Sequence, residues 1–269
     1  MANQLLTVNG VVLRELQMKE SDKVITVLTR ELGVISIYAK GAMRLKNKFH
    51  SSTGLFTYSE FVVFEGKGDR MYQLNEAVTK NVFYNLSTSI ENISLAMYMA
   101  ELVCEVVVPD EVSNDILRLF LNCLHMLCEG KWDPLMTKAA FEMRLVSDVG
   151  FRPNLVGCRK CGRYENDMMF LDIDAGNLIC PPCRIAYETG YEMLEPAVLL
   201  ALRYIVLADF EQMFSFKLEG ISLIRLSQLC EKYVLACTKN SYKTLDFLKP
   251  LFRTLIDKEA EKFYKGLEK

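Results

Sequence analysis

The pattern of hydrophobic and polar residues divides the chain into a strand-rich first part and a helical remainder. In residues 5–78, short runs rich in β-branched and aromatic residues alternate with turn residues, which is typical of β-strands. The pattern predicts strands at 5–16, 23–30, 34–39, 55–65 and 71–74, and a hairpin turn at 66–69. So many short strands without a long helix favour a small barrel, and the OB-fold is the leading candidate.

After residue 80 the apolar residues recur with helical spacing. This pattern predicts helices at 89–107, 114–129, 133–150, 195–208, 222–239 and 251–267. Several ends carry recognisable signals: Gly130 follows the second helix, while Asp133 and Pro134 suit the N-cap and the first position of the third. The sequence therefore predicts a helical domain.

Four cysteines interrupt the helical pattern in two Cys-x-x-Cys pairs. The first pair is Cys158 and Cys161, and the second, 18 residues later, is Cys180 and Cys183. This spacing is typical of a tetrahedral site with four thiolate ligands, which predicts a structural Zn²⁺ that leaves no position open for substrate. Reduced core cysteines and two redox dithiols are the alternatives.

Between the two pairs, residues 168–171 and 177–179 fit two short strands joined by a turn. We therefore expect a multidomain α+β fold with an inserted zinc ribbon. An N-terminal OB-fold barrel covers residues 1–80, an α-helical domain covers 81–155 and 190–269, and the four-cysteine ribbon covers 156–189.

The composition indicates in which cellular compartment the protein is expected. With 51% hydrophobic residues the chain can bury a core, but no apolar run reaches the ~18 residues of a membrane span. The first residues lack the basic start and apolar stretch of a signal peptide. Nine cysteines, four of them in a predicted metal site, favour a reducing compartment, and we expect the cytoplasm.

The formal charge of −2 does not by itself favour binding to nucleic acid. The distribution does, because residues 1–80 hold 11 Lys/Arg and 8 Asp/Glu, a net of +3, whereas residues 81–269 hold 21 and 26, a net of −5. Local patches rather than totals govern phosphate binding. The predicted barrel is therefore the better candidate for a nucleic-acid interface.

One segment of the barrel is basic and free of acidic residues, which are absent between Glu31 and Glu60. Residues 41–48 fit a flexible loop whose cations can follow phosphates, while interleaved aromatic residues can stack on bases. Taken one by one, the aromatic residues fit a barrel core better. The predicted DNA contacts are the loop cations Lys40, Arg44, Lys46 and Lys48, with Arg14, Lys23 and Arg30 extending the patch.

Signals of an enzyme are few. The chain has only two histidines and lacks the His-Glu-x-x-His, P-loop and Gly-x-Ser-x-Gly motifs. Asp172 and Asp174 leave a metal-dependent nuclease open as an alternative, although they fall in the predicted ribbon turn. We expect a protein without catalytic activity.

In the order of its parts, the chain resembles the bacterial RecO family of recombination mediators. The resemblance covers about the whole chain and includes residues 19–22, 28–33, the basic segment 39–48, and the stretch from 141–145 through 150–155 to 158–162. Met43 departs from the family, which usually has an arginine there, and Lys48 replaces a common arginine. Both changes weaken the expected phosphate contact, since lysine lacks the planar fork of arginine.

The resemblance implies a DNA repair protein of the RecF recombination pathway. Such proteins bind single- and double-stranded DNA, anneal complementary strands, and with RecR help to load RecA onto strands coated by single-strand-binding protein (SSB). They also recognise the acidic C-terminal tail of SSB, for which Arg144 and Arg203 are the candidate cations here. Association with the nucleoid would follow. A zinc-ribbon interaction or transcription module without strong DNA binding is the alternative.

Overall fold

The computed structural model describes residues 5–44, 46–65, 71–185 and 189–267. The chain forms two compact units, Met1–Glu129 and Gly130–Lys269. The predicted division into barrel, helical domain and ribbon stays a prediction, and the predicted turn at 66–69 lies outside the described residues. Among the helices that the structure describes, none has both the length and the apolar character of a membrane span.

A closed five-stranded barrel forms the first part of the first unit, which confirms the OB-like fold. Its strands follow the order β1-β2-β3-β5-β4, and β3 pairs with β5 in parallel while the other pairs are antiparallel. The strands are β1 (Leu5–Gln17), β2 (Lys23–Thr29), β3 (Val34–Ala39), β4 (Thr57–Glu65) and β5 (Met71–Val82).

Alternation along each strand separates the barrel core from its outer surface. In β3, the side chains of Ile35, Ile37 and Ala39 are buried, while those between them are half-buried on the outer face. Val12, Ile25 and other apolar residues complete the core. Burying each such side chain contributes about 1.5–3 kcal/mol, so the alternation fixes which side chains face outward.

Two helices complete the first unit: α1 (Ile90–Val106) and α2 (Asn114–Glu129). Helix α1 starts where predicted because Ser89 caps it, its hydroxyl accepting a hydrogen bond from the Asn92 amide at 3.2 Å. Both helices contact β1, and α2 also contacts β2.

Four helices dominate the second unit: α3 (Pro134–Val146), α4 (Pro196–Leu207), α5 (Gly220–Thr238) and α6 (Lys243–Leu267). Helix α3 packs against α4 and α5, and α5 packs against α6. Helix α6 begins eight residues before the predicted start at 251 and includes Pro250. Leu245 and Leu248 are buried, so tertiary packing extends the helix beyond the proline.

A small antiparallel sheet follows α3 in sequence. Its strands are β6 (Met169–Asp172), β7 (Asn177–Ile179) and β8 (Tyr191–Leu194), in the order β7-β6-β8. The first two strands correspond to the predicted hairpin. Strand β8 had not been predicted; it pairs with β6 from Met169–Leu194 to Asp172–Tyr191.

Candidate nucleic-acid interface and cysteine cluster

The basic segment between β3 and β4 folds as a series of tight turns rather than as an open loop. Amide groups donate to carbonyls three or four residues earlier, as from Arg44 to Gly41 (3.1 Å), from Asn47 to Arg44 (2.9 Å) and from Thr53 to Phe49 (3.1 Å). These bonds satisfy backbone groups locally and define the path of the segment. The described part of the segment is thus more ordered than the flexible loop that the sequence predicts.

Asp22, in the turn between β1 and β2, anchors the start of this segment. Its carboxylate accepts hydrogen bonds from the Gly41 amide at 2.7 Å and from the Tyr38 hydroxyl. The Tyr38 hydrogen bond and the Gly41 bond stabilise the ionised carboxylate and lower the pKa of Asp22. The Met43 amide also donates to the Ser21 carbonyl at 3.0 Å, so the two loops are joined by backbone contacts.

Aromatic and small apolar side chains fasten the segment to the barrel. Ala42 and Phe49 are buried with Ala39 and pack against Leu74 and Ala77. Phe56 is also buried, whereas Tyr38 and Tyr58 are half-buried on the outer face. Phe49 and Phe56 are therefore core residues of this unit. Tyr38 and Tyr58 are more accessible and are the better candidates for contact with a ligand.

The four loop cations Lys40, Arg44, Lys46 and Lys48 all have exposed side chains. Within the described residues, none of them lies within ion-pair distance of an acidic group. Their charge is consequently not neutralised internally and faces solvent. The arrangement is suited to phosphate binding, in which each contacting cation releases condensed counterions.

The other three predicted contacts do not share this location. Arg14 is exposed on the outer face of β1, opposite Thr26. Arg30 is also exposed, but it follows β2 at the end of the β2–β3 pair that lies away from Lys40, and the pair itself is about 17 Å long from Lys23 to Leu28. The structure therefore separates Arg30 from the basic loop.

Lys23 is buried, with its side chain 4% exposed. Its ammonium group donates to the Glu15 carboxylate at 2.6 Å and to the Thr53 carbonyl at 2.7 Å. It thus ties the end of the basic segment to the barrel and does not present its charge on the surface.

Lys19 is a further cation near the basic loop that is not among the predicted DNA contacts. It is exposed in the β1–β2 turn, next to the residues that bind the basic loop, and its charge contributes to the lowered pKa of Asp22. The sequence signal for Lys19 is its position in the loop between the first two predicted strands, because this loop of an OB-fold is one of those that bind oligonucleotides.

The four cysteines of the ribbon converge on one point. The sulfur atoms of Cys158, Cys161, Cys180 and Cys183 all lie within 4.8 Å of one another, and none forms a disulfide. A tetrahedron with metal–sulfur bonds of about 2.3 Å has edges of about 3.8 Å. The 3.6 Å between the sulfurs of Cys161 and Cys180 is close to such an edge. The cluster can therefore hold a metal ion.

The local backbone favours an ionised thiol in this cluster. Burial opposes ionisation of Cys158, but hydrogen bonds from the amides of Cys180, Cys161 and Lys160 outweigh it and lower its pKa to about 6. In contrast, the hydrogen bond between Cys183 and Cys180 raises the pKa of Cys183 to about 12. One thiolate is thus prepared near neutral pH, and a bound cation would favour ionisation of the others.

Turns and side chains hold the cysteine pairs in place. Gly162 adopts a positive φ of 71° and its amide donates to the Cys158 carbonyl at 2.8 Å, which closes the first turn. The guanidinium group of Arg159 binds the Asp172 carboxylate at 3.3 Å and the Tyr191 hydroxyl at 3.1 Å. Asp172 is therefore engaged in the ribbon structure, with its other oxygen accepting from the Ala175 amide at 3.0 Å.

Arg144 and Arg203 are held by internal acceptors. Arg144 binds the Asp148 carboxylate at 3.2 Å and donates to the carbonyls of Ile205 and Ala208. Arg203 is buried and donates to the carbonyls of Leu155 at 2.9 Å and Tyr164 at 2.7 Å. Both arginines join helices to neighbouring chain segments, and their role toward an SSB tail stays a prediction.

Comparison with protein families matches both parts of the chain to models of one family. Residues 1–83 match the model described as "Recombination protein O N terminal", and residues 87–246 match "Recombination protein O C terminal". The two models adjoin near the end of the barrel and between them span most of the chain.

Individual relatives match over nearly their full length. A DNA repair protein RecO of Acetivibrio thermocellus is 33% identical over 248 residues, which cover 92% of this chain and 98% of the relative. Proteins of the same name from Symbiobacterium thermophilum and Alkaliphilus metalliredigens are 29% and 28% identical over 92% and 86% of the chain. Together with the barrel, the helical unit and the cysteine cluster, these matches show that the chain belongs to the RecO family.

Proposed function

We propose that this protein is a non-enzymatic DNA repair factor of the RecF recombination pathway. It binds single- and double-stranded DNA through the basic loop of the barrel, anneals complementary strands, and with RecR helps to load RecA onto SSB-coated single strands. It acts in the cytoplasm, at the nucleoid. The proposal rests on membership of a family whose named relatives are DNA repair proteins.

The observation that carries DNA binding is the exposed, acid-free basic loop. Four cations project from a segment that Asp22, Ala42 and Phe49 fix to the barrel. Cations that are already positioned lose less conformational freedom on binding than cations on a mobile tail. If each contacts one phosphate, the logarithm of the affinity for single strands should fall with the logarithm of salt concentration with a slope of about −3.

The metal that best fits the cysteine cluster is Zn²⁺ in a structural role. Four thiolates fill a tetrahedral shell, so the ion would stabilise the ribbon and would not bind a substrate. The residues that would hold it are Cys158, Cys161, Cys180 and Cys183.

Charge reversal tests the DNA interface. Changing Lys40, Arg44, Lys46 and Lys48 to Glu should abolish binding to a labelled single strand at moderate salt, since repulsion replaces four attractive contacts. A matched control reverses three lysines and one arginine that are exposed in the second unit: Lys217, Lys239, Lys243 and Arg253. Binding by the loop variant at the level of the control would contradict the proposal.

Annealing distinguishes the mediator from an interaction module. Purified protein of measured zinc content should accelerate pairing of complementary oligonucleotides, both bare and coated with SSB, and addition of RecR should support RecA assembly on the coated strand. A zinc-ribbon interaction module would instead show little DNA affinity and a stable protein partner. Failure to anneal either substrate would favour that alternative.

A further inference from the structure

Three large apolar side chains project into solvent beside the basic loop. Leu16 is 59% exposed, Met18 is 52% exposed and Met43 is 39% exposed. Isolated exposed apolar residues are common, but several at one place in a charged surface indicate a contact site.

Hydrogen bonds within the β1–β2 turn, and between this turn and the basic loop, bring these residues to one end of the barrel. The Met18 amide donates to the Asp22 carbonyl, and the Met43 amide donates to the adjacent Ser21 carbonyl, each at 3.0 Å. The bond from the Gly41 amide to Asp22 fixes the same junction. Met18 and Met43, which are 25 positions apart in sequence, therefore lie on two loops that are bonded directly to each other.

The outer face of the barrel continues this apolar surface. Leu16 pairs across the sheet with Val24, and Val24 pairs with Tyr38, so the three side chains form a row on one face. Val24 and Tyr38 are half-buried, and Tyr38 is fixed by its hydrogen bond to Asp22. We call Leu16, Met18 and Met43, with this row behind them, the apolar tip.

Exposed cations flank the residues of the apolar tip along the chain. Lys19 lies next to Met18, and Lys40 and Arg44 lie on either side of Met43, all with exposed side chains. The nearby acids are Glu20, which is exposed, and Asp22, whose carboxylate is already engaged. An apolar centre with a basic margin complements a ligand that has apolar faces and phosphates.

A single DNA strand has this chemistry, whereas a duplex does not offer it on its surface. In a duplex the base faces are stacked and only phosphates and groove edges are accessible, while unpaired bases expose their π-faces. Methionine is flexible and polarisable and contacts aromatic rings favourably.

We propose that the apolar tip contacts unpaired bases and sets a preference for single-stranded over double-stranded DNA. The inference rests on the proposed DNA-binding function and assigns the selection of strand type to Met18, Met43 and Leu16. The cations of the loop bind phosphates of either substrate, and the tip adds affinity only where bases are unstacked.

The test compares the wild-type protein with a Met18→Ser/Met43→Ser variant. Binding is measured by fluorescence anisotropy with a dye-labelled oligonucleotide and with the duplex of the same sequence, over a series of salt concentrations. We expect a roughly tenfold loss of single-strand affinity, as for removal of one base contact, with unchanged duplex affinity and unchanged salt slopes.

Two further variants serve as controls. Val78→Ser removes an apolar side chain that is 61% exposed elsewhere on the barrel, and it should leave both affinities unchanged. Met18→Leu/Met43→Leu keeps the apolar contact and should keep the single-strand preference. Thermal unfolding of each variant should match the wild type, because both methionines are exposed.

The outcomes separate this inference from the proposed function. An equal loss of both affinities, or no loss of single-strand affinity in the serine variant, would overturn the role of the tip and leave DNA binding intact. If the wild-type protein binds neither substrate, the proposed function itself fails. Only a selective loss of single-strand affinity that the leucine variant does not share supports the inference.

Discussion

Lys23 and Lys40 are near neighbours at one end of the β2–β3 pair, yet their surroundings give them different roles. Lys23 pairs in register with Ala39, the residue before Lys40. The side chain of Lys23 points to the interior, where Glu15 and the Thr53 carbonyl compensate its charge, while that of Lys40 faces solvent. Position along the chain alone does not distinguish a structural cation from a phosphate contact.

Substituting these two lysines should separate the two roles. Lys23→Met should reduce the free energy of unfolding by about 1–3 kcal/mol, because the Thr53 carbonyl loses its donor and Glu15 loses its partner. Lys40→Met should change stability by less than about 0.5 kcal/mol and should weaken DNA binding instead. Urea unfolding and anisotropy titration measure the two effects. Equal stability of the two variants would contradict the structural role of Lys23.

Cys158 should ionise at an unusually low pH in the metal-free protein. Its pKa is about 6 when folded, below its ordinary value near 9, so this thiolate stabilises the folded state above pH 9 and the contribution is lost as pH falls through 6. Ultraviolet absorbance of thiolate should therefore show about one ionisation per chain near pH 6 that is absent in Cys158→Ser. An unchanged titration in that variant would assign the thiolate to another residue.

Among the elements, helix α3 depends on a single side-chain cap. The Asp133 carboxylate accepts a hydrogen bond from the Leu135 amide at 2.7 Å, and Pro134 occupies the first helical position. These residues define the start of the helix that packs against both α4 and α5. The cap therefore supports the packing of the second unit as well as the helix.

Asp133→Ala should lower the free energy of unfolding by about 1 kcal/mol, because the Leu135 amide loses its acceptor, whereas Asp133→Ser keeps an acceptor and should cost only a fraction of this. Thermal or urea unfolding provides the measurement. A loss as large for serine as for alanine would indicate that contacts of Asp133 other than the cap determine the effect.

The basic loop depends in a similar way on Asp22. Asp22→Asn removes the charge that accepts from Gly41 and Tyr38, so hydrogen exchange of the Gly41 and Met43 amides should become faster and DNA binding should weaken. In the wild type, the stabilisation by the hydrogen bonds to Asp22 should be lost as the pH falls below the ordinary carboxyl value of 3.8. The reason is that the lowered pKa of Asp22 stabilises the fold only while the group is ionised. Unchanged exchange in the Asn variant would remove Asp22 as the anchor.

In the whole molecule, the excess of basic residues and the cysteine cluster lie in different parts of the chain. The net charge of +3 lies in residues 1–80, and the four clustered cysteines lie in the second unit. The barrel encloses its own apolar core, whereas the sheet of the ribbon has only three strands of three or four residues each. A metal held by the four cysteines would therefore stabilise the ribbon and not the barrel.

Removing the metal should affect the two parts unequally. A strong chelator should release about one Zn²⁺ per chain and make residues 158–194 sensitive to protease, while the barrel stays resistant, because all four ligands lie in the ribbon and coordination would hold its two cysteine pairs together. Cys161→Ser should reproduce this sensitivity. Cys128→Ser, outside the cluster, should retain both metal and resistance; metal loss in that variant would contradict the assignment of ligands.

The strand and helix periods, the cysteine spacing and the acid-free basic segment can all be read from the amino-acid sequence. These features are local: alternation, caps such as Asp133 and two Cys-x-x-Cys pairs act within a few residues of one another. Most predicted strands and helices therefore appear in the structure within a few residues of their expected ends.

Which side chains share a surface depends on contacts that form only in the folded chain. The parallel β3–β5 pair that closes the barrel, strand β8 in the ribbon and the burial of Lys23 all depend on partners that are distant in sequence. The same holds for the junction that brings Met18 and Met43 together. Local patterns carry no information on these pairings, because burial and charge compensation are set by what the folded chain places opposite each residue.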